Sequence, residues 1–473
     1  MSVRTGVREL VPDVEERQRA RTWLLPWADH AGWWRAPVGV VGVLGVIRAL
    51  LLVVSHRPWF MNDSAEYLLL VDDLYVPRTR PPGVSVFWRA DLVLWHSLDS
   101  ILVAQALLGI GAGLLLFLAA REIGLGTRPA VVVAVLASCA PTVLFFERVL
   151  LTESLSYFFA VLTMWLMLVS LRTRSSMAWA VTGLVAALAV LVRSVAALYL
   201  PVIGILALAL TAGSLLRRIA VTMAFTVAAL VPLAGYSFAA FVDSRAITGK
   251  GHFGVQFVDG YTYFIATAPL TDCSHPHRPP AIRARVCAIP GFLEGNPDGV
   301  MWGPGPVNDA LRSAHYIDRN RDLRQLAFES VRQHPLGFLR LVGGRTVRLL
   351  STYDSVYTQD ARPWGEFLTR LGFPITGADR TENVWPVLLD VWAVMRLALW
   401  AAAVGALVLA PRRWRRGGRE IVAVVAPAAV VFVFLGLTNP GARYLLQLEP
   451  AGWLAAGWLV MVVVDRRRAK VAP

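Results

Sequence analysis

Lysine is nearly absent from this 473-residue chain: Lys250 and Lys470 stand against 44 arginines (46 − 2). With so much alanine, valine and glycine beside it, that imbalance reads as GC-rich coding bias and carries no mechanism. Charge of either sign is also scarce, at 16% of residues, where a soluble domain carries about a quarter. Together with 56% hydrophobic residues and a mean hydropathy of +0.55, this excludes an ordinary soluble domain. No Walker loop, dinucleotide-binding glycine pattern or HExxH helix is present, which argues against cytosolic nucleotide use. No repeat of 20–50 residues or low-complexity tail is evident, and no cleavable signal peptide is visible. The first apolar run, preceded by a long charged stretch, is expected to be an uncleaved anchor. Only three cysteines occur: Cys139 in an apolar run, and Cys273 and Cys287 in a hydrophilic segment. The spacing of the latter two with His275 and His277 matches no common structural zinc pattern, so a disulfide is favoured over zinc.

What the chain has instead is long apolar runs. Candidate spans are 38–55, 100–119, 129–146, 153–171, 177–192, 195–211, 219–241, 388–410, 421–438 and 444–464, each near the ~20 residues needed to cross a bilayer. The formal charge of +14 raises the question of a nucleic-acid partner. From Asp243 to Glu382 the balance is 16 basic against 14 acidic residues, so the excess lies elsewhere. It sits in short clusters between apolar runs: Arg172 and Arg174, Arg217 and Arg218, Arg412–Arg419, and Arg466–Lys470. That is the positive-inside pattern of a membrane protein, and it argues against nucleic acid.

Placing both termini in the cytoplasm puts every one of those clusters on the cytoplasmic side. The predicted fold class is an all-α polytopic membrane protein of about ten transmembrane helices, with a mixed extracytoplasmic segment before the last three. Its organisation is a cytoplasmic tail over 1–37, a membrane module over 38–242 with an outer loop at 56–99, an extracytoplasmic segment over 243–387, and a second membrane module over 388–473. Within the third part, residues 319–350 carry apolar residues at helical spacing, interrupted at Pro335. They read as one or two amphipathic helices, at the bilayer surface or packed in an ectodomain. The tryptophans of the N-terminal tail, Trp23, Trp27, Trp33 and Trp34, suit the cytoplasmic interface.

That topology exports a small set of polar residues. Asp63 and Glu66, three apart in NDSAEY, would share a helix face just outside the membrane. Partly desolvated, such a carboxylate can act as a base on a hydroxyl; solvated loop acids are the competing reading, and it suits Asp72 and Asp73 better. RTRPPGVSVFW is a strong turn signal, since proline fixes φ and glycine permits a tight turn. Glu147, Arg148 and Glu153 bracket a short second loop, where helix capping competes with a polar cavity. Arg193 and Arg443 fall at the outer interface, against the usual bias, where arginine grips a phosphate or snorkels to lipid headgroups. Arg48 and Arg396, inside spans, must face protein or water and read as paired structural charges.

Taken in order, these pieces resemble the GT-C glycosyltransferase superfamily, in the branch of protein O-mannosyltransferases and aminoarabinose transferases. The matching residues are NDSAEY, RPPGVSVFW, the TES opening the fourth span, LVRSVAALYLP, ESVRQHPLGFLRL and NPGARY. The resemblance implies a GT-C-like fold and an inverting transferase with a polyprenyl-phosphate sugar donor and a glycan, lipid or protein acceptor at the outer face of the plasma membrane. It implies Asp63 as base, Glu153 in support, and Arg193, Arg443 and Tyr444 toward the donor phosphate. The family's first-loop acid is often followed by another acid, whereas Ser64 follows Asp63 here. Whether Glu66 shares the role, and whether a divalent metal takes part, is left open by that departure. Two other classes compete: a transporter or flippase of an envelope precursor, which predicts mid-membrane acids and internal pseudo-symmetry, and a non-catalytic envelope-assembly scaffold, which predicts no polar cleft beside Asp63.

Overall fold

The computed structural model describes residues 34–55, 58–61, 63–72, 80–256, 259–274, 284, 286–287, 316–351, 384–438 and 442–471. The tail tryptophans at 23, 27 and 33, the HPHRPP stretch with His275 and His277, and Asp73 lie outside them.

Among the described residues the chain is helical, and its one β feature is an isolated parallel bridge between Trp59 and Val149. In chain order the helices are α1 (Arg35–Val54), α2 (Ser64–Asp72), α3 (Gly83–Trp95), α4 (Leu98–Glu122), α5 (Thr127–Ser138), α6 (Pro141–Phe146), α7 (Glu153–Thr173), α8 (Ser176–Val192), α9 (Tyr199–Leu210) and α10 (Leu215–Thr248). Then follow α11 (Asp259–Thr267), α12 (Tyr316–Gln333), α13 (Pro335–Ser351), α14 (Val384–Leu409), α15 (Arg419–Thr438) and α16 (Glu449–Val471). Two 3-10 turns, Ser194–Leu198 and Ala442–Gln447, precede α9 and α16.

Among the described residues six helices are long and apolar enough to cross a membrane: α1, α4, α7, α10, α14 and α15; α5, α8 and α9 are apolar but shorter. Their packing shows which solvent they expect. On α1, Val40, Leu44 and Arg48 form the buried face at i, i+4 and i+8, while Val46, Leu50, Val53 and Val54 are exposed. A helix with valine and leucine on its outward side is solvated by lipid, because contiguous exposed apolar surface of this extent is unstable in water.

Several expected spans change in detail. The run 129–146 is broken at Cys139–Ala140, between α5 and α6. Pro141 causes the break: it has no N–H to continue the ladder, and it sits at the first position of α6, where proline is tolerated. The run 195–211 opens as a 3-10 turn. Arg443 precedes the last helix, which begins only at Glu449. Loop one is largely helical, holding α2 and α3. Residues 319–350 form two helices that divide at Pro335, the position where the helical spacing was interrupted in the sequence.

The bundle has two unlike ends. At one, Arg172 pairs with Glu122 at 2.9 Å, and Arg217 donates to the Arg174 carbonyl at 3.3 Å. The basic turn after α14 closes on the same end, where Gly417, at φ +81°, lets the Ile123 carbonyl approach. At the opposite end lie α2, α3, the 147–152 loop and both 3-10 turns. There α11, α12 and Val286 build a small separate core around Phe264 and Leu323.

Candidate active site

The second end gathers charge. Asp63 sits one residue before α2, where Ser64 Oγ accepts from the Met61 amide at 2.9 Å and fixes the approach. Its Oδ1 accepts from Arg80 Nη2 at 2.7 Å, and its Oδ2 from Arg443 Nη2 at 2.6 Å. Arg443 also reaches toward Glu153, with Nε 3.8 Å from Oε1. The same Glu153 oxygen pairs with Arg193 Nη1 at 3.0 Å. Tyr444 lies beneath the arginines: the Arg193 guanidinium stands 4.0 Å from its ring centroid and that of Arg443 5.5 Å. The result is an alternating line, Arg80–Asp63–Arg443–Glu153–Arg193, over an aromatic floor.

Local sequence explains how these distant residues meet. Glu153 opens α7, and Arg193 caps α8 in an extended conformation that turns its side chain out of the helix direction. Arg80 leads into Pro81–Pro82–Gly83, and α3 begins at Gly83. A methyl group on Gly83 would lie 2.8 Å from the Leu191 carbonyl oxygen. That contact is closer than a side chain permits, so glycine brings the start of α3 against the end of α8, two residues from Arg193. Arg443 and Tyr444 come from the 3-10 turn before α16. Behind Arg80 lies the Tyr67 ring, 5.8 Å from its guanidinium, itself edge-on to buried Trp88.

The electrostatics follow from this line. Burial pushes the Asp63 carboxyl up, but Arg80 and Arg443 outweigh it and hold it below the ordinary carboxylate range. Burial pushes the Tyr67 phenol up to about 12. Among the described residues, Arg80, Arg443 and Arg193 face Asp63 and Glu153. An array of guanidinium forks suits an oxyanion such as a phosphate. Among the described residues no group of three or more His, Cys, Asp or Glu could hold a metal.

The structure thus brings together Asp63, Glu153, Arg193, Arg443 and Tyr444. Glu66 lies on α2, and its side chain is outside the described residues. Cys273 and Cys287 are joined by a disulfide, with Cα atoms 5.7 Å apart. Arg80 was missed in the sequence, where its segment read only as a turn; an arginine next to two prolines that rigidify its approach was the available signal.

Near the cluster lies a narrow apolar groove. Its wall nearest the arginines includes Ser156, Ala196 and Gln447; it continues between α7, α9 and α15 past Met164, Met167 and Ile203.

The fold and this site define an all-helical, multi-pass membrane protein with the likeness to GT-C glycosyltransferases first read in its short motifs. Residues 79–237, about a third of the chain, match the family of dolichyl-phosphate-mannose-protein mannosyltransferases. That stretch contains Arg80, Glu153 and Arg193. Among solved structures, the chain is similar to the apo oligosaccharyltransferase of Archaeoglobus fulgidus, with 15% identity, TM-score 0.48, and coverage of 94% of this chain and 52% of that one. It is also similar to apo ArnT from Cupriavidus metallidurans, with 15% identity, TM-score 0.33, and coverage of 89% and 78%. The chain thus spans about half the length of the oligosaccharyltransferase. No curated protein matches the sequence.

Proposed function

We propose that this protein is an inverting glycosyltransferase that moves a sugar from a polyprenyl-phosphate donor to a hydroxyl-bearing acceptor at the extracytoplasmic face of the plasma membrane, with Asp63 as base. The observation that carries the reading is the set of three arginines around Asp63 and Glu153, with an apolar groove whose lining starts three residues along two of the turns that carry them. Ala196 follows Arg193 by three residues and Gln447 follows Tyr444 by three, so each groove wall grows out of a turn that carries a candidate phosphate ligand. A lipid phosphate has those two halves in that order. The location of the basic clusters at the opposite end of the bundle supports an outward-facing site.

The chemistry needs little more. The donor phosphate takes up Arg193, Arg443 and Arg80. As the arginines turn to it, Asp63 loses cationic neighbours and becomes a stronger base. Asp63 then removes the proton from the acceptor hydroxyl, whose oxygen attacks the anomeric carbon from the face opposite the phosphate. The carbon–oxygen bond to phosphate breaks, the configuration inverts, and polyprenyl phosphate leaves with its new charge held by the arginines. Glu153 keeps Arg193 and Arg443 oriented and balances them when no donor is bound.

The test is Asp63→Asn in the full chain reconstituted in lipid. Transfer should fall by at least ~10²-fold, the scale of a lost general base, with insertion and polyprenyl phosphate binding preserved. Full activity in that variant would remove Asp63 from the mechanism. Movement of a lipid-linked precursor across vesicles with no sugar transfer would favour the transporter reading.

A further inference from the structure

A second charged cluster lies beneath the site, buried where α1, α4 and the broken α5–α6 pair meet. Arg48 Nη2 donates to Glu147 Oε1 at 2.6 Å and to the Ser138 carbonyl at 3.0 Å. Both charged side chains are all but sealed off, at 1% and 2% exposure. In a continuous helix the Ser138 carbonyl would accept from the amide four residues on; the break leaves it to Arg48. The pair also needs Gly109 on α4, because a methyl there would sit 1.9 Å from Glu147 Oε1. From Glu147 the contacts step upward. Arg148 Nη1 donates to the Ser55 carbonyl at the end of α1. The Trp59 amide donates to the Arg148 carbonyl at 2.7 Å, and the Leu150 amide returns to the Trp59 carbonyl at 2.9 Å. Trp59 precedes Asp63 by four residues, and Leu150 precedes Glu153 by three.

We propose that Arg48, Glu147 and Arg148 form a positioning strut that sets the register of loop one against loop two, and so the placing of Asp63 against Glu153. This rests on the transferase reading for its consequence but not for its geometry. A buried ion pair is a poor way to glue helices, because well-packed apolar residues of similar volume often serve as well or better. What it supplies is direction: a planar guanidinium with two fixed acceptors on two elements permits one register, where a greasy contact permits several. The arginines Arg193 and Arg443 are carried by other elements, the end of α8 and the turn before α16. Loss of the strut should therefore displace the base, and Arg80 on the same loop, while leaving the part of the phosphate grip that Arg193 and Arg443 supply.

The experiment compares the wild type with Arg48→Met/Glu147→Leu and with Arg48→Lys, each as the full chain in nanodiscs. Three readings are taken: amide hydrogen exchange across 58–63 and 147–152, binding of polyprenyl monophosphate, and kcat and KM for transfer. In the double variant, exchange in those two segments should rise at least ~10-fold against the rest of the bundle. Polyprenyl phosphate affinity should fall by less than about tenfold, since Arg193 and Arg443 stay in place, and kcat should fall further, ~10- to 100-fold, the scale of a misplaced reacting group. Arg48→Lys, which keeps the charge, should recover much of the protection and rate. Unchanged exchange at 58–63 and 147–152 overturns the strut, as does a uniform loss of protection throughout the protein. A wild type that neither binds polyprenyl phosphate nor transfers sugar overturns the transferase reading instead, and the exchange measurement still decides the strut.

Discussion

Arg443 and Asp63, 380 residues apart in the chain, share a 2.6 Å hydrogen bond in a cluster that also holds Arg80 and Glu153. A carboxylate paired on both oxygens is a weak base. The consequence is measurable by pH. Removing either cation, by Arg443→Met or Arg80→Met, disfavours the Asp63 anion and raises its pKa. The acid limb of kcat/KM, which reports the free enzyme, should move to higher pH in both variants. The sign for stability is the same. A carboxyl depressed by folding adds stability above its unfolded value, here near 3.8, and that contribution is lost as pH falls through the folded value. The wild type should therefore resist acid better than either variant. An acid limb that stays in place would show that a different group titrates.

Gly83 is the next point of leverage, because it couples the two sides of the arginine cluster. In Gly83→Ala the methyl meets the Leu191 carbonyl and Val192 Cγ2, each 2.8 Å away. A backbone oxygen cannot swing aside, so α3 and the end of α8 must part, at about 1–3 kcal/mol for overpacking. Arg80 and Arg193 should separate, raising KM for the donor by about tenfold and lowering the unfolding midpoint. Gly39→Ala on α1 serves as the control, since nothing lies within 4 Å of its added methyl. Equal behaviour of the two variants would dismiss the coupling.

The sequence made the helical membrane architecture legible because bilayer solvation imposes a long, unmistakable hydrophobic period. Most of the site's cast was legible too: Asp63, Glu153, Arg193, Arg443 and Tyr444 stood out as polar residues at the ends of apolar runs. Their mutual pairing was not, since contacts such as Arg443–Asp63 depend on how spans far apart in the chain pack. Arg80 escaped notice because two prolines dominated its segment and its role depends on the fold of loop one. The break after Ser138 was masked by unbroken hydrophobicity over 129–146, although Pro141 marked it. Arg48 was read correctly as a charge needing a partner, but nothing in the sequence connected it to Glu147.

The Cys273–Cys287 disulfide closes a short loop beside the small core that Phe264, Val286 and Leu323 form with α11 and α12. With 14 residues of separation, chain-entropy reasoning assigns it about 3 kcal/mol. Cys273→Ser/Cys287→Ser should loosen that core, seen as faster amide exchange in α11 and α12. Val286 packs in the core of α11 and α12, so protection of the membrane helices should be unchanged. A global loss of helical content would instead mean that this segment is required for the bundle to assemble.

The groove offers the sharpest separation of lipid recognition from chemistry. Ala186 and Ala428 line it at some distance from the arginine cluster, and both are nearly sealed from solvent, at 2% each. Phenylalanine at either position would fill space that a hydrocarbon chain is proposed to occupy. Excluding one leucine-sized stretch of apolar contact forfeits about 1.5–3 kcal/mol, or roughly 10- to 150-fold in affinity. For a long-chain polyprenyl-phosphate donor, KM should rise by that order. A donor analogue with one or two isoprene units does not reach down the groove, so its KM should barely move, and kcat should be similar for both. If Ala186→Phe and Ala428→Phe weaken long and short donors alike, the groove is only an imperfection in helix packing. The isoprenoid would then have to leave the phosphate site by another face of the bundle.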